Sequence, residues 1–391
     1  MIRSMGIELG QGTGPLKGIK VVEIAGIGPS PHACMILADL GADIIRVERP
    51  GGQALTGGTH DFLNRGRPSV ALNLKDPAAV ETVLKLVEDA DVLVEGMRPG
   101  VTERMGIGPE DCFARNPRLV YGRMTGWGQT GEWSQAAGHD MNYIAITGTL
   151  FGLGQEPGKP QFPTNLVGDF GGGSTYLVIG ILAALLEAKV SGQGQVIDAA
   201  IVDGTANLNA MTAAFLEGGN YQEKRAANLL DGGAPYYDIY ETSDGKHMSV
   251  GALEPQFYEI LLDLLDVRET APDRWDFSKV DELRAVFTAK FAEKTQAEWC
   301  EIFDGTDACV APIIPLTEAF EHPHMKSREI FVEHHGRIQP APAPRFSRTP
   351  GAVRGPARRP GADTTAVLTD WGFSADEVRA LLTSGAVAEA P

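Results

Sequence analysis

The hexapeptide Gly138-His-Asp-Met-Asn-Tyr143 sets a histidine beside an aspartate, between a glycine and an amide. An imidazole can take or give a proton near neutrality, which makes His139 a candidate general base. It is equally a polar side chain that hydrogen-bonds within a loop, and the local sequence leaves both readings open. Asp169 lies just before the glycines Gly171, Gly172 and Gly173, and an apolar run follows. Its carboxylate could cap a helix by meeting unpaired amides. The same amides could instead stabilise a developing oxyanion, with the glycines letting a bulky ligand approach the backbone.

A third group is basic. Arg46, Arg49, Arg65, Arg67, Lys75, Arg98 and Arg104 fall at strand ends and in the loops after them. Gathered at one sheet edge, they would suit phosphate oxygens; scattered, they are a solvated surface. The four cysteines (Cys34, Cys112, Cys300, Cys309) have neither disulfide-framework nor metal-ligand spacing. They read as reduced thiols of a cytoplasmic protein, and no metal site is expected. The formal charge of −17 argues against a nucleic-acid partner.

Alternating elements must position these groups. Val21–Ala25 is an apolar strand, Ala33–Leu40 a helix ended by Gly41, and Asp43–Val47 a second strand. Asp76 caps a helix with Pro77 at its first position and Val80, Val83, Leu84 and Val87 on its apolar face. Strands over "DVLVEG" and "RLVYGRMTGWG" follow. The pattern predicts an α/β fold: a large Rossmann-like domain with a parallel sheet, plus a smaller α+β domain. The first loop, "GIGPSP", lacks G-x-G-x-x-G, and its prolines withhold amides from a pyrophosphate, so no nicotinamide cofactor is expected.

The run "YLVIGILAALLEA" is shorter than the roughly 20 residues that span a bilayer, and no membrane partner is expected. The N-terminus has no apolar signal segment. A hairpin turning at "SDG" and the helices "EPQFYEILLDLL", "VDELRAVFTAKFAEK" and "TQAEWCEIF" outline the smaller domain. The expected division is 1–200 for the large domain, 201–235 for a linker helix region and 236–330 for the small domain. Residues 331–391 form a C-terminal segment, with a proline- and arginine-rich surface stretch before a closing helix over "SADEVRALLTSG".

Taken in order, these pieces resemble the family III CoA-transferase superfamily, and within it the racemase branch that acts on α-methylacyl-CoA thioesters. The resemblance runs from about Leu16 to residue 350. It is carried by "VVEIAGIGPSPHACMILADLGADIIRVERP", "DVLVEGMRPGVTERMGIGP", "RMTGWGQTG", "GHDMNYIAITG", "NLVGDFGGGS" and "LLDGGAPYYDIYE". Transferase members typically have Gly-Tyr-Asp where this chain has Gly-His-Asp. The racemase branch has Gly-His-Asp-x-Asn-Tyr, as here.

The resemblance implies that His139 and Asp169 form an acid/base pair. Glu254 would support the histidine from the other subunit of an interlocked homodimer. CoA contacts are implied at Arg49, at Leu72, Asn73, Leu74 and Lys75, at Gly96, Met97 and Arg98, and at Arg104. Gly138, Asp140, Met141, Asn142 and Tyr143 would lie along the acyl-CoA, with Asp140 holding the loop. Where the branch usually has Ala-Asp-Leu-Lys, this chain has Leu-Asn-Leu-Lys, which removes a charge on the adenosine side. The C-terminal segment would return to the large domain.

The implied reaction interconverts (R)- and (S)-2-methyl-branched acyl-CoA. One base removes the α-proton, another returns it, and the amide of Asp169 holds the enolate oxygen. CoA is part of the substrate, and no cofactor is expected. The alternative is CoA transfer to a free acid through an acylated Asp169; a non-catalytic CoA-binding protein is a further class. Met97, Met105, Met124, Met141 and Met211 are candidates for an adaptable apolar wall.

Overall fold

β-branched apolar runs make six parallel strands: β1 (Lys20–Ile24), β2 (Asp43–Glu48), β3 (Ser69–Leu72), β4 (Val92–Glu95), β5 (Val120–Thr125) and β6 (Val196–Ala200). The structure is a computed structural model and describes residues 7–52, 60–155 and 158–390. The start of the N-terminal stretch, residues 1–6, and Pro391 lie outside the described residues. A two-residue strand, Val387–Ala388, pairs antiparallel with β3 and completes a seven-stranded sheet. From that edge the order is β3-β2-β1-β4-β5-β6. It reverses direction between β1 and β4, where the following loops diverge and a parallel sheet opens its ligand crevice.

Helices cover both faces: α1 (Pro29–Asp39), α2 (Pro77–Glu88), α3 (Val101–Met105), α4 (Pro109–Arg115), α5 (Asp140–Ile146), α6 (Thr175–Ser191) and α7 (Ile201–Leu208). Strand residues alternate between two cores. Val22, Ile45, Val70 and Leu93 meet Val83 and Leu86 of α2, together with Leu368 and Trp371. Val21, Ile44, Val92 and Val120 meet Leu37 of α1 and Leu177 and Ile181 of α6. Helix α1 starts at Pro29, earlier than the apolar pattern indicated, because a proline is preorganised for the first turn.

The glycine run before α6 is not a break. Leu166–Ser174 forms a π-helical segment that leads directly into α6. The continuous run Leu166–Ser191 is 26 residues, long and apolar enough to cross a membrane by length and composition alone. This corrects the expectation of a run too short to span, since the glycines proved helical. Part of the run is core here, with Leu177 and Ile181 buried beneath β5.

The chain divides into two compact units: Met1–Thr147, Pro163–Leu208 and Pro323–Pro391 in the first, Gly148–Phe162 and Asn209–His322 in the second. The expected linker region, 201–235, is divided between them, α7 in the first and α8 (Ala210–Glu217) in the second. In the second unit, β7 (Tyr237–Glu241), β8 (His247–Gly251) and β9 (Val310–Ile313) form an antiparallel sheet. It packs with α9 (Pro255–Leu265), α10 (Val280–Phe291) and α11 (Gln296–Phe303) around Phe287, Phe291 and Trp299. Residues 148–162 join this unit through Arg225, which donates to the carbonyls of Phe151, Gln155 and Gly158.

The proline- and arginine-rich stretch is extended but is not merely surface chain. Arg354 pairs with Asp43 at 2.9 Å, and the Gly355 carbonyl accepts from Gly66 N–H at 2.9 Å.

The π segment lies against the backbone of α7. An ideal Cβ on Gly204 would stand 1.9 Å from the Gly172 carbonyl oxygen. Gly204→Ala is therefore expected to cost about 1–3 kcal/mol as overpacking, read as a lower Tm in thermal unfolding. An unchanged Tm would show that α7 does not hold the segment.

Candidate active site

The loop after β5 is built by aromatic contacts. Tyr143 donates its hydroxyl to the Gly138 carbonyl and sets its ring edge-on to Trp127, with centroids 4.7 Å apart. Trp127 in turn meets Trp133 at 4.9 Å. His139 sits at the N-cap of α5 with extended backbone; its N–H donates to Asn142 Oδ1 at 3.1 Å. These contacts use its backbone and leave the imidazole exposed. Met141 and Asn142 are exposed beside it.

Asp140 turns the other way. Its side chain is buried, and Oδ2 accepts from the Asp169 N–H at 2.7 Å. An ideal Cβ on Gly168 would lie 2.5 Å from that oxygen, so the contact requires glycine there. Asp169 is thus inside the π segment, with Asn165 before it as the cap residue. Its carboxylate accepts from Asn165 Nδ2 at 3.3 Å and does not cap the helix. Its amide is already engaged by Asp140, which removes it as the expected donor to an enolate oxygen.

Burial is the main cause that raises the Asp169 pKa above the ordinary carboxylate value. The Asn165 hydrogen bond opposes the shift, the Asp140 charge adds to it, and nearby His139 opposes it. The loop after β1 also approaches this carboxylate: an ideal Cβ on Gly28 would be 3.3 Å from Asp169 Oδ2.

The basic residues separate into two sets. Arg49, Lys75, Arg98 and Arg104 are exposed, following the carboxyl ends of β2, β3 and β4 or lying on α3. Arg46, Arg65 and Arg67 are buried against Glu48 (2.9 Å), Asp39 (2.5 Å) and Glu23 (3.3 Å). Those three are structural, because a buried guanidinium needs a carboxylate to offset its desolvation.

Leu72, where the resemblance implies a ligand contact, carries a core side chain on the last position of β3. Leu74 packs against the same core, and Asn73 donates its N–H to the Ala386 carbonyl at 2.9 Å. At the Gly96–Arg98 turn, Met97 N–H donates to Glu95 Oε2 at 2.6 Å. Arg123 clamps Glu95 at 2.9 Å and Glu103 at 2.7 Å, fixing the turn from below. Met124 is buried in the sheet, and Met97 and Met105 pack against the core, whereas Met141 and Met211 are exposed.

In the second unit, Glu254 is the exposed N-cap of α9, with Pro255 after it. Buried Arg274 holds the preceding turn: it donates to the Leu253 carbonyl at 3.0 Å and lies over Tyr258 and Tyr236 at 4.6 and 5.1 Å. Among the described residues, no group of three or more His, Cys, Asp and Glu is arranged to hold a metal.

Sequence reasoning missed Asn165, Arg274, Arg123 and His32. Asn165 is four residues before Asp169, a helical spacing that would have shown the contact had the glycine run been read as helix. His32, on α1, carries a ring half sunk against the π segment.

The profile of CoA-transferase family III matches residues 16–364, and the chain belongs to that family. It is 44% identical over 367 residues to the Mus musculus protein named alpha-methylacyl-CoA racemase, covering 93% of this chain and 95% of that one. The Homo sapiens protein of the same name is 42% identical over 369 residues, with coverages of 93% and 95%. A solved CAIB/BAIF family protein from Brucella suis aligns with TM-score 0.78 at 26% identity, over 92% of this chain and 100% of that one.

Two outcomes are expected. Asp140→Ala leaves the Asp169 amide without its acceptor and should cost about 1–3 kcal/mol in urea unfolding, with Asp140→Asn losing less. The second concerns pH. Burial, then the charges of Arg65 and Arg67, lowers the His32 pKa from 6.5 to about 4. As pH falls from 6.5 towards 4, the unfolded chain takes this proton first, so His32 removes stability across that window. His32→Phe should flatten the stability-versus-pH curve there; parallel curves for the two proteins would refute the shift.

Proposed function

We propose that the chain is an isomerase that interconverts (R)- and (S)-2-methyl-branched acyl-CoA thioesters, the activity that its racemase relatives are named for. The observation that carries this reading is the chain His139–Asp140···Asp169, in which one buried carboxylate joins two candidate acid/base groups. A residue with an ionisable ring stands where transferase members have tyrosine.

The α-proton of a thioester is weakly acidic. Its removal needs a base on one face of the α-carbon, an acid on the other, and donors for the enolate oxygen. His139 and Asp169 serve as base and acid, exchanging roles for the opposite enantiomer. Burial favours the protonated Asp169 carboxyl, which suits it to return a proton. With the Asp169 amide occupied, the amides of Asp140 and Met141 at the start of α5 take its place as donors; first-turn amides have no carbonyl partner within their own helix. Proton transfer between two side chains calls for no cofactor, and CoA is part of the substrate.

Arg49, Lys75, Arg98 and Arg104 meet the anionic end of CoA along the edge made by β2, β3 and β4, with Asn73, Gly96 and Met97 beside them. Glu254 supports His139 from the second subunit of a homodimer. The exposed Ile179, Leu186 and Val190 along α6 are apolar surface of the kind a subunit covers. Cytoplasmic residence belongs to the same reading, supported by four unpaired cysteines.

The test uses one enantiomer of a 2-methylacyl-CoA in heavy water. Racemisation gives α-deuterium and loss of optical purity with no acceptor acid. His139→Ala and Asp169→Ala should each cost about 100-fold or more in turnover with CoA affinity retained. Acceptor-dependent thioester exchange, with an acyl-enzyme trapped by hydroxylamine, would establish a transferase instead.

A further inference from the structure

We propose that His32 is a positioning residue for Asp169: its hydrogen bond to Ser174 and its stack on Phe170 fix the register of the π-helical segment that carries the carboxylate. The inference rests on Asp169 being one of the two bases. It adds a residue that the family resemblance did not assign.

The segment Leu166–Ser174 needs such support. It contains Gly168, Gly171, Gly172 and Gly173, which offer no side chains for packing and favour no helical state. π geometry is also rarer than α geometry, so something must favour it locally. In a π helix the N–H of residue i+5 pairs with the carbonyl of residue i, which makes Ser174 the mate of Asp169. A slip to the α pattern would pair Gly173 with Asp169 and rewind the turn that follows the carboxylate. Holding Ser174 therefore holds Asp169.

His32 touches the segment at two places within this pairing, Phe170 and Ser174. Its Nδ1 is 2.6 Å from Ser174 Oγ. Its ring stacks on Phe170, the residue after Asp169, with centroids 4.3 Å apart and planes 27° from parallel. Ser174 directs its one hydroxyl hydrogen to the Phe170 carbonyl at 3.0 Å, so it accepts from the imidazole Nδ1–H. The base of His32 is firm: its N–H donates to the Gly28 carbonyl at 3.2 Å. Arg67, buried, donates to the neighbouring Pro31 carbonyl at 2.8 Å. A fixed helix thus grips a weak one at two points just after Asp169, the proposed acid.

A phenylalanine at 32 could stack but could not donate; an asparagine could donate but would stack poorly. These variants separate the two contacts. In the α-deuterium exchange assay on the full-length protein, His32→Phe is expected to lower kcat about ten-fold with KM changed less than about two-fold. His32→Asn is expected to recover most of that loss. Ser174→Ala should reproduce the His32→Phe effect, and the double variant should be no slower than either alone. Thermal unfolding of each variant checks that it is folded at the assay temperature.

Wild-type kcat in His32→Phe, losses that multiply in the double variant, or a rise in KM that accounts for the effect would each overturn the inference. Asp169→Asn is the control for the premise. If it keeps wild-type exchange, the two-base reading has failed; if it is inactive while His32→Phe is normal, only the role of His32 has failed.

Discussion

One hydrogen bond, from the Asp169 amide to the buried Asp140 carboxylate, sets the geometry on which everything at this site depends. His139 precedes Asp140 in the chain, and Asp169 itself donates the bond. The spacing of the two candidate bases therefore follows from one charge-assisted bond and two short pieces of backbone. Such a bond is stronger inside a protein than in water, and an orphaned partner is correspondingly costly. The surroundings are consistent with that constraint. Gly168 clears space for the carboxylate, the Trp127–Tyr143 contact supports the loop, and α7 lies close under the glycines of the π segment.

A chain with a formal charge of −17 nevertheless leaves Arg49, Lys75, Arg98 and Arg104 exposed, just beyond the carboxyl ends of β2, β3 and β4 or on α3. It does so by sorting its arginines. Those under the edge are matched to Glu23, Asp39 and Glu48 and stiffen the strands without projecting charge. Those beyond the last strand residues have no such partner within the sheet and point their charge outward. For the anionic ligand proposed above, such an arrangement would set short-range attraction inside a repulsive far field, which solvent ions damp over about 8–10 Å.

The parallel sheet, its helices and the Asp76 cap were legible because period and capping are local properties. The pair His139 and Asp169 was visible as chemistry, yet only family resemblance joined the two. What escaped was tertiary. Arg46, Arg65 and Arg67 have the same local appearance as Arg49 and Arg98, and only the positions of Glu23, Asp39 and Glu48 separate them. The π segment escaped because glycines normally end helices; here close backbone packing against α7 makes them necessary. His32 was one histidine among eight, and its meaning lies in Phe170 and Ser174, far away in the chain.

The two-residue strand at Val387–Ala388 has a consequence for how the molecule is made. It closes the edge at Leu72 and Ala71, and Asp363 accepts the Ser69 amide at 3.1 Å. These contacts join β3 to residues that follow the whole of the stretch 209–322, so loop closure must span that stretch as well. The stretch 209–322, which makes most of the second unit, leaves the ribosome while the first sheet still lacks its border. Synthesis therefore cannot complete the larger unit first. Until Val387 and Ala388 emerge, β3 keeps one side open to any passing strand, and that interval exposes the sheet to mispairing.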